Sequence, residues 1–146
     1  MTSMTIQDLH DQLSELNKTI GQIITRSGFD IHNDLYDLEG SSDPDSLMLR
    51  EELTDVLDHL DSASSILTYL NKEVIGEYTL HKNDNGRYSC EIREYTCGNR
   101  IEFYGYDDDI EKYRWRISRI EHDGSDYYIV GFRDLPLDGL RIRIRE

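Results

Sequence analysis

The acidic residues of this sequence are spaced in a way that favours electrostatic recognition of another molecule. Residues 27–61 hold eleven acidic residues and a single basic one, Arg50. A solvated helix face normally mixes the two signs, because opposite charges on neighbouring turns stabilise each other. The sequence therefore predicts a surface for a basic partner, with a merely solvated face as the alternative. Its residues are Asp34, Asp37, Glu39, Asp43, Asp45, Glu51, Glu52, Asp55, Asp58 and Asp61.

Motifs for catalysis or metal binding are not found in the sequence. The histidines are scattered, and there is no Gly-x-Ser-x-Gly, no phosphate-binding glycine loop and no His-Glu-x-x-His. Cys90 and Cys97 lack the second cysteine pair that a zinc ribbon needs. We interpret residues 107–109, three consecutive aspartates, as a solvated turn. We therefore expect a protein that is not an enzyme, with no catalytic residue, no metal site and no cofactor.

Two amphipathic helices must position the acidic residues. Thr5 followed by Asp8 is a capping-box pattern, and Gly28 is typical of a helix end. Asp43 and Pro44 predict the start of the second helix, since proline suits the first helical position. Each helix carries an apolar stripe at spacings of three and four: Ile6, Leu9, Leu13, Leu16, Ile20 and Ile23, then Leu49, Leu53, Val56, Leu60, Ala63, Leu67 and Leu70. Leu57 widens the second stripe.

Neither stripe is buried by its own helix, so we expect the two stripes to pack against each other in an antiparallel helical hairpin. Glu51, Glu52, Asp55, Asp58 and Asp61 fall off the stripe of the second helix and should face outward. An alternative use of the same stripe is dimerisation, which would make the protein an oligomeric coiled-coil adaptor.

The second half of the chain changes to the period of β-strands. Asn85-Gly86 and Asp123-Gly124 are hairpin signals between alternating segments. The predicted strands lie near residues 77–81, 87–92, 100–104, 113–117, 126–132 and 140–145. The sequence predicts an α+β fold, with an acidic helical hairpin over residues 1–74. A small antiparallel β-meander or SH3-like barrel is expected over residues 75–146.

Composition supports a folded chain with a strong negative field. The 146 residues carry a net charge of −14, of which −11 falls in residues 1–76 and −3 in residues 77–146. No apolar run approaches the roughly 18 residues of a membrane span. The first residues lack the basic and apolar regions of a signal peptide, and two cysteines without such a signal are expected to be reduced. These features predict a cytoplasmic protein with no membrane partner.

Arginines interleaved with aromatic residues in the second half offer a rival surface. Such a pattern binds single-stranded nucleic acid in many proteins. The candidate residues are Arg114, Arg116, Arg141, Arg143 and Arg145, with Trp115, Tyr104, Tyr127 and Tyr128 near them in sequence. The structural interpretation is that the arginines protect sheet edges and that Trp115 and Ile117 belong to the core. A net charge of −14 opposes direct binding of nucleic acid.

The segment Gly131-Phe132-Arg133-Asp134-Leu135-Pro136-Leu137-Asp138-Gly139-Leu140-Arg141-Ile142-Arg143, with residues 78–82 and 119–124, carries a resemblance. Over about residues 75–145 the chain resembles a small domain family of unknown function found in short proteins of bacterial phages and integrative elements. The resemblance implies a mobile-element protein in a bacterial host cell and brings no catalytic residues.

The acidic surface and this implied context together predict a DNA mimic. DNA-binding proteins line their grooves with lysine and arginine, and a row of carboxylates is steered to the same grooves by the same field. We therefore expect an inhibitor of a host defence enzyme that acts on nucleic acids, such as an anti-CRISPR protein that blocks a Cas nuclease. The alternatives are the coiled-coil adaptor and a nucleic-acid-binding accessory protein.

Overall fold

A computed structural model describes residues 3–30, 35 and 38–146 of the chain. Its contacts divide the chain into two compact units, Met1–Lys72 and Glu73–Glu146, which we call the helical unit and the β unit. Two helices followed by antiparallel sheets give an α+β fold, as the sequence predicted. The predicted domain boundary lies two residues further along the chain.

Helix α1 (Ile6–Ser27) begins and ends at the residues that the sequence indicates. The Thr5 hydroxyl accepts a hydrogen bond from the Asp8 amide (3.0 Å), and the Asp8 carboxylate accepts one from the Thr5 amide (2.9 Å). This reciprocal capping box satisfies two amides that have no partner inside the helix. Gly28 follows with a φ of 67°, a left-handed conformation that closes the helix and favours glycine. Both predicted helix ends are confirmed.

Helix α2 (Pro44–Leu70) has Asp43 as its N-cap and Pro44 in its first turn, as predicted. The Asp43 carboxylate accepts hydrogen bonds from the amide (3.0 Å) and the hydroxyl (2.9 Å) of Ser46. Hydrogen bonds with Ser41 and Ser46 stabilise the ionised carboxylate and lower the pKa of Asp43 to about 2. The helix start is therefore held by a side chain that stays charged well below neutral pH.

The two helices form an antiparallel hairpin, and polar side chains bridge them. Asn71 Nδ2 donates to the Ser14 hydroxyl (3.0 Å), and Asn17 Nδ2 donates to the Thr68 hydroxyl (3.2 Å). A later residue of α1 thus pairs with an earlier residue of α2, which is the signature of antiparallel packing. The buried apolar residues of the helices are Ile20, Leu57 and Leu67.

The expectation that the apolar stripes bury each other is wrong for most of their length. Leu16 and Val56 are each 50 % exposed. The physical reason is that each helix is rotated about its own axis: Asn17, one position after Leu16, bonds across the pair, and Leu57, which widened the predicted stripe, is buried where Val56 is not. Successive helical residues point about 100° apart. The large exposed members of the stripes are Ile6, Leu9, Leu13, Leu16, Ile23, Leu49, Leu53 and Val56.

These exposed residues fall on one side of the hairpin. A two-fold axis normal to the plane that contains both helices exchanges two antiparallel helices. A side chain that points along this axis in one helix has its counterpart pointing in the same direction in the other helix. Residues one position before the contact in either helix therefore point to the same side. We call the set Leu9, Leu13, Leu16, Ile23, Leu49, Leu53 and Val56 the apolar side.

The β unit contains eight strands, all paired antiparallel. They are β1 (Val74–Thr79), β2 (His81–Lys82), β3 (Tyr88–Ser89), β4 (Glu94–Tyr95), β5 (Arg100–Asp107), β6 (Lys112–His122), β7 (Tyr127–Ile129) and β8 (Arg141–Arg145). Each of the six predicted segments contains at least part of a strand, although several bounds differ. Strand β4 was missed, and the predicted segment at residues 77–81 is divided between β1 and β2.

The strands form a five-stranded sheet in the order β1-β8-β5-β6-β7 and a three-stranded sheet in the order β2-β3-β4. Strands β5, β6 and β7 follow one another as a meander. Strand β8 returns from the end of the chain and pairs with both β1 and β5. The meander predicted for the whole unit is therefore limited to part of it.

One face of the five-stranded sheet covers the core of the β unit. Its fully buried side chains include Leu80, Ile101, Phe103, Ile120, Ile129 and Ile142. The Phe103 ring meets the Phe132 ring edge to face, with centroids 5.1 Å apart. Because side chains alternate along a strand, Tyr104 and Tyr106 of β5 point to the opposite side. We call that side the outer face.

Candidate partner-binding surfaces

Five exposed carboxylates follow α2, and we call them the acidic row: Glu51, Glu52, Asp55, Asp58 and Asp61. Asp55 lies two positions after Leu53, and Asp58 two positions after Val56, a rotation of about 200° around the helix. Glu51 stands in the same relation to Leu49. These three acids therefore lie on the flank of α2 opposite the apolar side.

Basic residues do not neutralise this row within the part of the chain that the structure describes. None of its five carboxylates takes part in an ion pair within 4.0 Å there. Arg50 donates instead to the carbonyl oxygens of Leu35 and Leu38 in the interhelical loop. The negative field of the acidic row is thus directed to the solvent.

The remaining residues of the predicted acidic surface precede α2. Glu39 and Asp45 are exposed, and Asp43 serves as the helix N-cap. Asp34 and Asp37 lie outside the described residues. The structure therefore brings together the residues of the predicted surface that lie on α2. Asp43 caps the start of that helix.

The five arginines of the alternative surface are divided between the two faces of the sheet. Arg116 is paired with Phe103 in the strand register, so Arg114 and Arg116 lie on the core side. Arg114 Nε is 2.6 Å from Asp107 Oδ2, and the Arg116 guanidinium lies over the Phe132 ring at 4.6 Å. These two arginines support the core face and do not join the other three.

Asp107 corrects the interpretation of residues 107–109 as a solvated turn. It ends β5, its side chain is buried, and its ion pair with Arg114 holds the pKa of the carboxyl below its usual value. Asp108 and Asp109 form the turn that follows. The first of the three aspartates is therefore part of the sheet structure.

Arg141, Arg143 and Arg145 of β8 share the outer face with a buried acid, Glu102. The Glu102 side chain is only 1 % exposed, and it accepts hydrogen bonds from Arg143 Nε and from Arg145 Nε (2.9 Å). The exposed pair beside them joins Arg141 to Glu77, at 2.5 and 2.9 Å. The acids hold the guanidinium groups flat against the sheet.

Four aromatic rings continue this surface across β5 and β6. Tyr104 is paired with Trp115 (centroids 5.2 Å apart) and Tyr106 with Tyr113 (5.2 Å), and Tyr104 also stacks on Tyr113 (5.4 Å). The assignment of Trp115 and Ile117 to the core is wrong, because strand register places both on the outer face and Ile117 is 43 % exposed. Tyr127 and Tyr128 lie on β7.

Two of the arginines stack on these rings. The Arg143 guanidinium lies 4.4 Å from the Trp115 ring centroid. Arg141 lies over both Tyr104 (4.8 Å) and Trp115 (5.4 Å). Arg141 and Arg143 therefore form one contact cluster with the four aromatic rings of the outer face.

Residues 78–144 match the model of a family described as a domain of unknown function (DUF5348). The match runs from within β1 to within β8 and includes most of the outer face; Glu77 and Arg145 lie just outside it. It agrees with the resemblance found over about residues 75–145, and α1 and α2 lie outside it. No curated protein matches the chain, and no solved structure does so.

In residues 3–30, 35 and 38–146, no helix combines the length and apolarity that crossing a bilayer requires. The same residues contain no group of three or more histidine, cysteine or acidic side chains arranged to hold a metal ion. Cys90 and Cys97 are free thiols.

Proposed function

We propose that this is a non-enzymatic binding protein whose acidic row occupies a basic, nucleic-acid-binding groove of another protein and excludes DNA from it. The observation that supports the proposal is the solvent-directed line of carboxylates on α2, with no ion pair to a basic residue in the described part of the chain. Catalysis has no part in this mechanism, because binding alone blocks the groove.

The charge density of the acidic row suits such a groove. Glu51 and Asp61 are ten residues apart, which is about 15 Å of helix axis at 1.5 Å per residue. Five carboxylates over this length give one charge per roughly 3 to 4 Å, and one DNA strand carries one phosphate charge per about 3.4 Å. The row therefore presents nearly the linear charge of a single DNA strand on a rigid rod.

The resemblance of the β unit to a family found in phages and integrative elements supplies the proposed setting. A mobile element gains when a host enzyme that cuts its DNA is blocked. The proposed target is thus a defence nuclease in the bacterial cytoplasm, with a Cas effector as the first enzyme to test.

We expect the triple substitution Glu51→Lys, Asp55→Lys and Asp58→Lys to weaken target binding by more than about 100-fold, because it places three cations against a basic groove. The measurements are DNA cleavage by a purified Cas nuclease and equilibrium binding to it at about 50 and 200 mM salt. Binding by the unmodified chain should compete with duplex DNA and weaken steeply with salt.

A matched control separates the acidic row from net charge alone. Asp84→Lys, Glu91→Lys and Asp108→Lys change the charge by the same amount at exposed positions of the β unit. This control should inhibit nearly as well as the unmodified chain. Inhibition that survives reversal of the row, or that is lost equally in both triple variants, would contradict the proposal.

A second candidate function is self-association through the apolar side. The observation that favours it is the exposure of seven aliphatic side chains on one side of the hairpin, opposite the acids of α2. Two copies could bury their apolar sides against each other as a four-helix bundle while their acidic rows point apart. The occupant in this case is a second copy of the chain.

The double substitution Leu16→Gln and Leu53→Gln should convert a dimer into a monomer, because it removes apolar contacts from both helices without breaking either one. Sedimentation equilibrium over a concentration series measures the change. Met48→Gln and Ile66→Gln are the control, since both residues are exposed and lie about 180° around α2 from Leu57. A monomeric unmodified chain would exclude this candidate.

A further inference from the structure

The outer face of the five-stranded sheet carries a positive charge in a strongly acidic protein. Strand register places five arginines on it against three glutamates, a local balance of +2 where the whole chain has −14. The arginines are Arg100, Arg119, Arg141, Arg143 and Arg145, and the glutamates are Glu77, Glu102 and Glu121. A local field of this sign attracts phosphate groups.

The same face offers flat surfaces for bases. Tyr113 is 61 % exposed, and Tyr106 beside it is nearly half exposed. The cross-strand pairs Tyr106–Tyr113 and Tyr104–Trp115 are two residues apart along the strands, which is about 7 Å. Two neighbouring bases of an extended strand could therefore stack on successive ring pairs, while a duplex keeps its bases covered.

Arg141 links the two features. Its guanidinium stacks on Tyr104 and Trp115, and its side chain remains about half exposed. Glu77 fixes its orientation through two hydrogen bonds. The group is thus held beside the rings, where a phosphate of a strand stacked on Tyr113 would pass, and little side-chain freedom is lost on binding.

We propose that the outer face binds single-stranded nucleic acid, with bases stacked on Tyr106, Tyr113 and the Tyr104–Trp115 pair, and with phosphates bound by Arg141 and its neighbours. The four aromatic residues and Arg141 lie in the segment that matches the family of unknown function, and the site is independent of the acidic row. It refines the arginine set expected from the sequence by leaving out Arg114 and Arg116, which face the core.

The test is fluorescence anisotropy with the full chain and labelled oligo-dT and oligo-rU 12-mers, with a 12-base-pair duplex for comparison, at about 50 mM salt. Binding of either single strand is expected, with weaker binding of the duplex. The two oligonucleotides distinguish DNA from RNA as the ligand. Trp115, the single tryptophan, should lose fluorescence as bases stack beside it.

Two variants test the geometry. Tyr106→Ala with Tyr113→Ala should weaken single-strand binding at least about 10-fold, because both stacking surfaces are lost. Arg141→Ala should weaken it and reduce the salt dependence. Arg87→Ala is the matched control, since Arg87 is also exposed and also ion-paired to a glutamate, Glu94, in another part of the β unit. Circular dichroism checks that each variant is folded.

The acidic row gives an independent check. Glu51→Gln, Asp55→Asn and Asp58→Asn would abolish inhibition under the function proposed above, but they should leave single-strand binding intact or tighten it. The inference is overturned if neither oligonucleotide binds, if the duplex binds best, or if the double tyrosine variant binds as well as the unmodified chain. Preferential binding of a poly-glutamate peptide would also overturn it, in favour of an acidic protein partner.

Discussion

Replacing Glu102 by alanine should lower the free energy of unfolding of the β unit by about 3 kcal/mol. The carboxylate is buried and accepts hydrogen bonds from both Arg143 and Arg145, so its removal leaves two mostly buried arginine side chains without their shared anion. Urea denaturation followed by Trp115 fluorescence measures the effect, because the single tryptophan of the chain lies in the same sheet.

The neighbouring ion pair provides the comparison for this result. Glu77→Ala removes the partner of Arg141, but both side chains of that pair are about half exposed, and the expected cost is below roughly 1 kcal/mol. Equal losses for the two variants would show that burial does not distinguish these pairs. A stable Glu102→Ala variant would mean that the arginines find water or other acceptors.

Replacing Phe103 by alanine should cost about 4 kcal/mol, because the side chain is fully buried and leaves a cavity in the middle of the sheet. The ring also loses its edge-to-face contact with Phe132. Thermal and urea unfolding of the full chain measure the loss. Ile92→Ala, at an exposed position, should change stability by less than about 0.5 kcal/mol.

A smaller or larger loss of stability on replacing Phe103 would each have a specific meaning. A loss near 1 kcal/mol would show that the surrounding side chains collapse into the space, as loosely packed cores do. It would then be wrong to treat this residue as the centre of the β-unit core. Loss of the β-sheet circular dichroism signal at room temperature would instead show that the free energy of unfolding of the β unit is smaller than the cost of the substitution.

The helix ends were predictable because their causes are local. Thr5 with Asp8, Gly28, and Asp43 with Pro44 act within one turn of the chain, and each does in the structure what its pattern indicates. The rotation of the stripes was not predictable in this way. It depends on Asn17 and Ser14 finding partners more than fifty residues away, in Thr68 of α2 and in Asn71 directly after it.

The outer face illustrates the same difference in the sheet. The alternating Arg141–Arg145 segment predicts a strand correctly, but the identity of its neighbours is a non-local property. Without the register of β5, β6 and β8, Arg114 and Arg116 could not be separated from the other arginines. One signal was present: three arginines on one side of a strand favour an acidic neighbour, and the acids within the predicted strands were Glu77, Glu91, Glu102 and Asp126.

Strand β8 also sets the order in which the protein can form during synthesis. It lies between β1 and β5, and the backbones of Glu73 and Glu146 exchange two hydrogen bonds (3.1 and 3.0 Å). The five-stranded sheet therefore cannot be completed until residue 146 has left the ribosome, whereas α1 and α2 could pair roughly seventy residues earlier. Until β8 is available, β1 and β5 each lack a partner on the edge that β8 occupies in the complete sheet, and such an unpaired edge is open to pairing with another chain.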